Sequence, residues 1–435
     1  MEIKAFKGLR FNPDVVGDAG SCISPPYDVI DEDMQQALYD ANPYNIVRVI
    51  QGKKSSEDSS DNNQYTRAAE FLKDAQQEQA LKQDEKDTIY AYVQDFEING
   101  QQQTRSGFVA LGKIEDFGSG VKAHEKTLDG PKADRLNLMR ATAAQFGQIF
   151  MLFNDPEKVA DKIMEKAAQG APLLSFTDDM NVVHKLFAID DPADVEAVKN
   201  MMGDKQAIIA DGHHRYETAL NYWKETQNPD AQYRMMTFVN MHNEGLVIQP
   251  THRLVMNMPE FDVEKLVEQL KDDFAVVQFN FNSDEAKQLA RKKMFEQMNK
   301  AFENEKAALG IYAASGSFYV VTLKDFASMN DFADMSDAAK KLDVNVLHNL
   351  ILDRAMGIDD AALAKQSNLK YIKDIGDAIE RSIDAVDSGQ SQVVFFMNPT
   401  RIEQVNAVAM AGEKMPQKST FFHPKVFTGL VINKL

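Results

Sequence analysis

A short apolar run that passes through one glycine directly into a helix constrains this fold more than any other segment. Residues 207–210 are apolar and predict a strand, and residues 215–226 have the spacing of an amphipathic helix. The residues that join the two elements are Asp211, Gly212, His213, His214 and Arg215. Gly212 permits the tight connection because it carries no Cβ. The sequence therefore predicts a strand whose end leads straight into a helix N-terminus.

This strand-to-helix connection, the 211–215 loop, has the chemistry of an anion site. The unpaired amides of a helix start attract negative charge, and Arg215 can hold a phosphate or a carboxylate through two nitrogens. Asp211 could hold a metal ion, orient a histidine or accept a proton. His213 and His214 are candidate proton carriers, and only one is expected to face the anion because neighbouring helical residues point in different directions. The alternative is a plain helix cap with two surface histidines.

A second basic cluster interrupts the acidic trend of the chain between residues 122 and 142. Lys132 and Arg135 lie three residues apart, so they share one face of a helix predicted over 132–145 and could bind phosphate. The candidates that accompany them are the catalytic groups His124 and Glu125, the phosphate ligand Thr127 and the substrate neighbour Asp134. An ordinary salt-bridged helix face explains the same spacing equally well.

Three further segments carry polar residues that could complete a site. His252 stands beside Arg253 after a predicted strand, and both are candidate phosphate ligands. Two prolines fix an extended backbone at residues 25–26, and a polar run surrounds residue 418. The candidate substrate contacts in these two segments are Tyr27, Asp28, Lys418 and Ser419. For each segment, the ordering of a loop explains the residues at least as well as chemistry does.

Charge and cysteine content argue against several classes of function. The chain has 48 basic and 66 acidic residues and a net charge of −18, which disfavours non-specific nucleic-acid binding. The single cysteine, Cys22, excludes an intramolecular disulfide and a cysteine-cluster metal site. No stretch approaches 18 consecutive apolar residues and the start lacks the apolar core of a signal peptide, so we expect a cytoplasmic protein without membrane contact. We expect no zinc, haem or flavin, and homo-oligomerisation stays open.

Strands and helices alternate along the chain without a repeated unit, which predicts a mixed α+β (α/β) fold. Hairpins are expected over 88–114, with a turn at Asn99-Gly100, and over 309–323. A length of 435 residues exceeds what one core usually supports, so two units are expected. We place them at 1–257, which includes the 211–215 loop, and at 258–435, which could close the site. Residues 53–64 contain no apolar side chain and predict a flexible surface insertion.

Taken together, the motifs resemble one bacterial and archaeal family, known as domain of unknown function 1015. The ordered segments that carry this resemblance are 6–10, 25–30, 42–43, 124–127, 131–135, 211–217, 250–253 and 415–420. The 211–215 loop alone is also similar to the strand–Gly–x–His–Arg–helix loop of sulfiredoxins and ParB-like proteins, including ParB-like free serine kinases. This second resemblance implies a ParB/sulfiredoxin-like nucleotide- or phosphate-binding unit, elaborated by hairpins and by a second α+β unit.

In those relatives the loop holds nucleotide phosphates at the helix N-terminus. By resemblance, Gly212, His213, His214 and Arg215 would contact phosphate, and Asp211 would lie beside a metal ion or a hydroxyl. Sulfinic acid reduction is disfavoured because His213 stands where sulfiredoxins carry their reactive cysteine. The function expected is phosphoryl transfer on a small metabolite such as serine or phosphoserine, with the kinase or phosphatase direction open. ATP or ADP and a divalent cation, with Mg²⁺ preferred, are the expected cofactors. The alternative is a nucleotide-binding ParB-like regulatory protein without turnover.

Overall fold

The computed structural model describes residues 1–98, 100–125, 130–359, 362 and 367–435. They form two compact units, of which the first lies within 1–123, 127–247 and 424–435 and the second within 124–126 and 248–423. This division differs from the boundary at 257/258 placed on the sequence. Thr251–Val255 is a strand of the second unit's sheet, whereas Asn433–Lys434 pairs with Ala144–Gln145 in the first unit.

The elements are short and numerous, as the alternating pattern predicts. The strands are β1 Ile3–Lys4, β2 Leu9–Phe11, β3 Leu81–Gln83, β4 Ile89–Ile98, β5 Gln101–Lys113, β6 Val121–Ala123, β7 Ala144–Gln145, β8 Ile149–Phe153, β9 Leu174–Thr177, β10 Val183–Ile189, β11 Ala207–Asp211, β12 Tyr233–Asn240, β13 Val247–Gln249, β14 Thr251–Val255, β15 Phe274–Asn280, β16 Ala308–Tyr312, β17 Ser317–Leu323, β18 Leu369–Lys373, β19 Val393–Met397, β20 Phe421–His423 and β21 Asn433–Lys434. The α-helices are α1 Pro13–Val16, α2 Glu32–Ala41, α3 Val47–Ile50, α4 Gln64–Gln77, α5 Gly130–Thr142, α6 Val159–Ala167, α7 Pro192–Gly203, α8 His213–Thr226, α9 Val263–Leu270, α10 Asp284–Glu303, α11 Asp337–Lys340, α12 Asp343–Val346, α13 Ala378–Asp387 and α14 Ile402–Met410.

The first unit is built on a nine-stranded mixed sheet. Its order is β6-β11-β8-β12-β5-β4-β10-β9, and β1 pairs with β5. Strand β11 runs parallel to β6 and antiparallel to β8, and β12 runs parallel to β8. Apolar residues of these strands form one core with residues of helices α6, α7 and α8. The core fixes the C-terminal end of β11, from which the 211–215 loop departs.

Local signals explain several elements of the first unit. Asp191 caps α7 by accepting hydrogen bonds from the amides of Ala193 and Asp194, and Pro192 occupies the first turn, where no amide donor is needed. Strands β4 and β5 form the long hairpin expected over 88–114, although Asn99 of its predicted turn lies outside the described residues. The insertion at 53–64 contains no strand or helix before Gln64.

The second unit is an α+β unit with its own sheet. Six strands follow the order β15-β17-β16-β19-β14-β18, and each neighbouring pair is antiparallel. Helix α10 packs closely on β16, because a Cβ on Gly310 would come within 2.7 Å of the Met298 sulfur. A nine-residue π-helix, Leu347–Ala355, continues from α12. These units confirm the mixed α+β fold predicted from the sequence.

The length and apolarity that a helix needs to cross a membrane do not occur together in any helix of the described ranges.

Candidate functional site

The 211–215 loop begins at a distortion of the sheet. The register between β11 and β8 shifts between Ile209 and Asp211, and helix α8 begins only two residues later. Gly212 separates the two elements with a φ of 96°, in the region that favours glycine. A Cβ at this position would lie 2.9 Å from Nε of Arg215, so the glycine also makes room for the arginine to fold back over the loop.

Asp211 faces an excess of positive charge. Its Oδ2 lies 3.2 Å from Nη2 of Arg215 and 3.5 Å from Nζ of Lys425. Burial alone would raise the pKa of Asp211, but Lys425, Arg215 and His213 together hold it well below its usual range. Asp211 therefore stays a carboxylate near neutral pH. The N-cap position of α8 is occupied by Gly212, which has no side chain to cap the helix.

The two histidines of the loop have different surroundings. His213 is buried and contributes to the low pKa of Asp211, whereas His214 is only half-buried. Arg215 is buried as well, and its Nη1 donates to the carbonyl oxygen of Gln148. Of the two histidines, His214 is the better placed to reach a ligand from solvent.

The predicted basic face of α5 lies in the first unit and is partly neutralised by carboxylates. Lys132 pairs with Glu217 of α8 at 2.5 Å, which ties the two helices together. Arg135 donates through Nε to Asp134 at 2.8 Å, and its guanidinium lies 4.2 Å from the centre of the Tyr27 ring. The salt-bridged face that the sequence left as an alternative is thus present.

Several of these side chains surround a small cavity in the first unit. Its volume is about 50 Å³. The residues that line it are Tyr27, Ile50, Arg135, Leu138, Met139, Ala144, Gln145, Phe146, Gly147, Arg215, Thr218, Arg234 and Thr428. Tyr27, Arg135 and Arg215, which the sequence predicted as site residues, are brought together here. Asp28, predicted beside them, is exposed and is not one of the lining residues.

The other predicted residues that the structure describes belong to the second unit. Nε2 of His124 lies 2.9 Å from Oγ1 of Thr420, and Oε1 of Glu125 accepts a hydrogen bond from the amide of Lys418 at 2.6 Å. Arg253 donates to the carbonyl oxygen of Lys418 at 3.1 Å. These contacts join 124–125 to the polar run around residue 418.

His252 and Arg253 are both buried and contact backbone groups. Nδ1 of His252 accepts from the amide of Met397 at 3.2 Å, and Arg253 also donates to the carbonyl of Thr251. Burial lowers the pKa of Arg253 to about 10. The hydroxyl of Ser419 donates to the carbonyl of Pro416 at 2.6 Å. This is the loop-ordering role that the sequence left open, and Thr127 lies outside the described residues.

Sequence reasoning missed two cations of the first unit. Arg234 stands in β12, whose eight residues are all buried, and an arginine inside such a strand is itself a signal of a built polar site. Lys425 reaches Asp211 from a segment more than two hundred residues away, for which no local pattern exists. Groups of three or more histidine, cysteine or acidic side chains that could hold a metal ion do not occur within the described ranges.

Comparison with known proteins places the chain in a family. The model of the family described as "Protein of unknown function (DUF1015)" matches residues 3–345, and the chain therefore belongs to this family. No curated protein sequence matches the chain.

Similar solved structures are distant. A free serine kinase in complex with AMP is 12% identical, with 70% of this chain and 83% of that chain covered and a TM-score of 0.32. A conserved hypothetical protein from Pyrococcus furiosus is 13% identical, with 72% and 95% covered and a TM-score of 0.33. SbnI from Staphylococcus aureus, with a C-terminal truncation, is 10% identical, with 73% and 84% covered and a TM-score of 0.33. Similarity at this level supports no inference about activity.

Proposed function

We propose that the first unit binds the phosphates of a nucleotide at the 211–215 loop and that the protein transfers a phosphoryl group to or from a small hydroxylated metabolite, with serine or phosphoserine as the leading candidates. The observation that carries the proposal is the charge at the loop. One carboxylate, Asp211, faces Arg215, Lys425 and His213 at the start of a 14-residue helix, in a protein of net charge −18. Phosphoryl transfer depends chiefly on positioning and charge neutralisation, which such a loop supplies.

The pKa of Asp211 divides the roles within the loop. A carboxylate whose pKa lies well below its usual range is a poor proton acceptor, so Asp211 would orient Lys425 and Arg215 instead. In the kinase direction, the hydroxyl oxygen of the metabolite forms a bond to the γ-phosphorus as the bond to the β–γ bridging oxygen breaks. The hydroxyl proton would pass to His214, the more accessible histidine. The phosphatase direction uses the same pocket, with water as the attacking group.

A resident metal ion does not fit the described loop well. Asp211 is its one carboxylate, and Oδ2 of that side chain already faces two cations. Mg²⁺ enters the proposal as the ion that nucleotide phosphates bring with them, which is how Mg²⁺ is commonly bound at such sites.

Phosphoryl transfer measured with ATP or ADP and Mg²⁺, against serine and phosphoserine, tests this proposal. We expect Arg215→Ala to lose about 10²–10³-fold in turnover, as when a transition-state donor is removed. Arg140→Ala is the matched control, because Arg140 lies on the exposed face of α5 and pairs with Glu225. Equal turnover in wild type and Arg215→Ala would contradict the proposal. Nucleotide binding by wild type without any transfer would identify the non-catalytic alternative instead.

A further inference from the structure

The small cavity of the first unit is lined by three arginines and by no carboxylate of the described residues. The arginines are Arg135, Arg215 and Arg234, and hydroxyl groups come from Tyr27, Thr218 and Thr428. Positive charge therefore converges on a small concave space in a protein that is acidic overall. Buried charges are normally paired, so the pairing of each arginine decides what the cavity can hold.

Two of the three arginines already have a carboxylate partner. Arg135 pairs with Asp134, and Arg215 lies 3.2 Å from Asp211. Arg215 belongs to the 211–215 loop, where it pairs with Asp211, and it also lines the cavity. The cavity and the proposed phosphate loop consequently adjoin each other.

Arg234 has no such partner among the residues that the structure describes. Its Nη2 donates to the carbonyl oxygen of Gly147 at 2.7 Å, but its Nε and Nη1 are buried and have no hydrogen-bond acceptor within the described ranges. Only 5% of the residue is exposed to solvent. Burial, and to a smaller degree the charge of Arg215, lower the pKa of Arg234 to about 9. Oγ1 of Thr218, another lining residue, is likewise buried and unpaired in the described part of the chain.

The size of the cavity limits its ligand. A volume of about 50 Å³ accommodates roughly three to five water-sized centres at ~10–15 Å³ each. That is space for one small charged group and too little for a nucleotide. The remaining wall is apolar, with Leu138, Met139 and Phe146 among its residues.

We propose that this cavity binds the carboxylate of a small organic acid, so that the acceptor in the proposed reaction is a short hydroxy acid or hydroxy amino acid. One uncompensated guanidinium matches one negative charge. Its two unpaired nitrogens, Nε and Nη1, lie on different edges of the guanidinium, so each can donate to one oxygen of a bound carboxylate but not both to the same one-edge fork. Phosphate is the competing small anion, because Arg215 of the cavity wall shares its carboxylate partner Asp211 with Lys425. The assignment rests on the proposed function for the identity of the reaction, but the binding itself does not depend on turnover.

Isothermal titration calorimetry without nucleotide tests the assignment. The probes are L-serine and glycolate, with L-serinamide as the analogue that lacks the carboxylate and inorganic phosphate as the competing anion. Serine and glycolate should bind the wild type, serinamide should bind at least tenfold more weakly, and phosphate should not displace serine. Arg234→Met should weaken serine binding at least 30-fold. Arg234→Lys keeps the charge without the planar fork and should give an intermediate loss.

Arg140→Met serves as the control and should bind serine like the wild type. Unfolding curves of each variant separate loss of binding from loss of the fold. Equal serine affinity in wild type and Arg234→Met, or displacement of serine by phosphate, would overturn the assignment. Carboxylate binding without phosphoryl transfer would refute the proposed reaction and leave this site standing. Phosphoryl transfer by the wild type, together with unchanged serine binding in Arg234→Met, would refute this site and leave the proposed reaction standing.

Discussion

Replacing Arg234 with methionine should make the unliganded protein more stable, although the arginine is buried and hydrogen-bonded. The lowering of its pKa from the usual range of arginine to about 9 corresponds to about 5 kcal/mol of penalty on the charged form, at ~1.36 kcal/mol per unit. At neutral pH the side chain is charged in both folded and unfolded states, so the penalty is fully present. The hydrogen bond to Gly147 offsets about 1.5–3 kcal/mol of it. A net gain of about 2–3.5 kcal/mol remains for Arg234→Met, within the range known for buried charges replaced by apolar groups.

The difference in stability between the two proteins should shrink strongly or vanish when the ligand is present. Serine at 100 times its dissociation constant would stabilise the wild type by about 2.7 kcal/mol. Arg234→Met should gain nothing from the same addition. Thermal unfolding with and without L-serine, followed by a fluorescent dye, measures both effects. A lower unfolding temperature for unliganded Arg234→Met than for wild type would refute the reasoning, because it would mean that the charge of Arg234 is already compensated in the free protein.

Three other predictions concern a loop glycine, a helix cap and a buried histidine of the first unit. Gly212→Ala should destabilise the first unit by about 1–3 kcal/mol and weaken nucleotide binding, because a Cβ there meets a positive φ and lies 2.9 Å from Arg215; unchanged binding would contradict this. Asp191→Ala should lower the free energy of unfolding by about 1 kcal/mol because α7 loses its cap. Urea unfolding measures this loss, with a surface substitution outside the helix cap as the control. Burial lowers the pKa of His184 more than Asp178 raises it, so stability should fall as pH drops below about 6.5, and His184→Gln should flatten that slope.

The parts of the site that were predictable from the sequence are those encoded locally. The 211–215 loop is visible because an apolar strand, a glycine and a helix start follow one another without interruption. The register shift that places Asp211 depends on pairing with β8 and has no signature in the loop itself. Lys425 approaches Asp211 through the fold of a distant segment. Pattern reasoning therefore located the strand-to-helix loop and Arg215, and it missed Lys425, the second cation that faces Asp211.

The division of the chain in the structure differs from the predicted one for a related physical reason. The composition changes near residue 258, where long charged helices begin. A change of composition indicates which segments are exposed, but it does not indicate which sheet a strand joins. Strand β14 precedes that change and pairs with β18 and β19 on either side. Strand pairing between distant segments decides which unit a strand belongs to, and no local pattern in Thr251–Val255 specifies its partners.

The return of residues 424–435 to the first unit has a consequence for synthesis of the protein. Strand β7 must wait for Asn433–Lys434, and Asp211 must wait for Lys425. A ribosome therefore produces the whole of 248–423 before the first unit can acquire its last strand and its second loop cation. During that interval the nascent first unit carries Asp211 without one of the charges that neutralise it. The full set of charges around Asp211 is thus among the last features of the first unit to form.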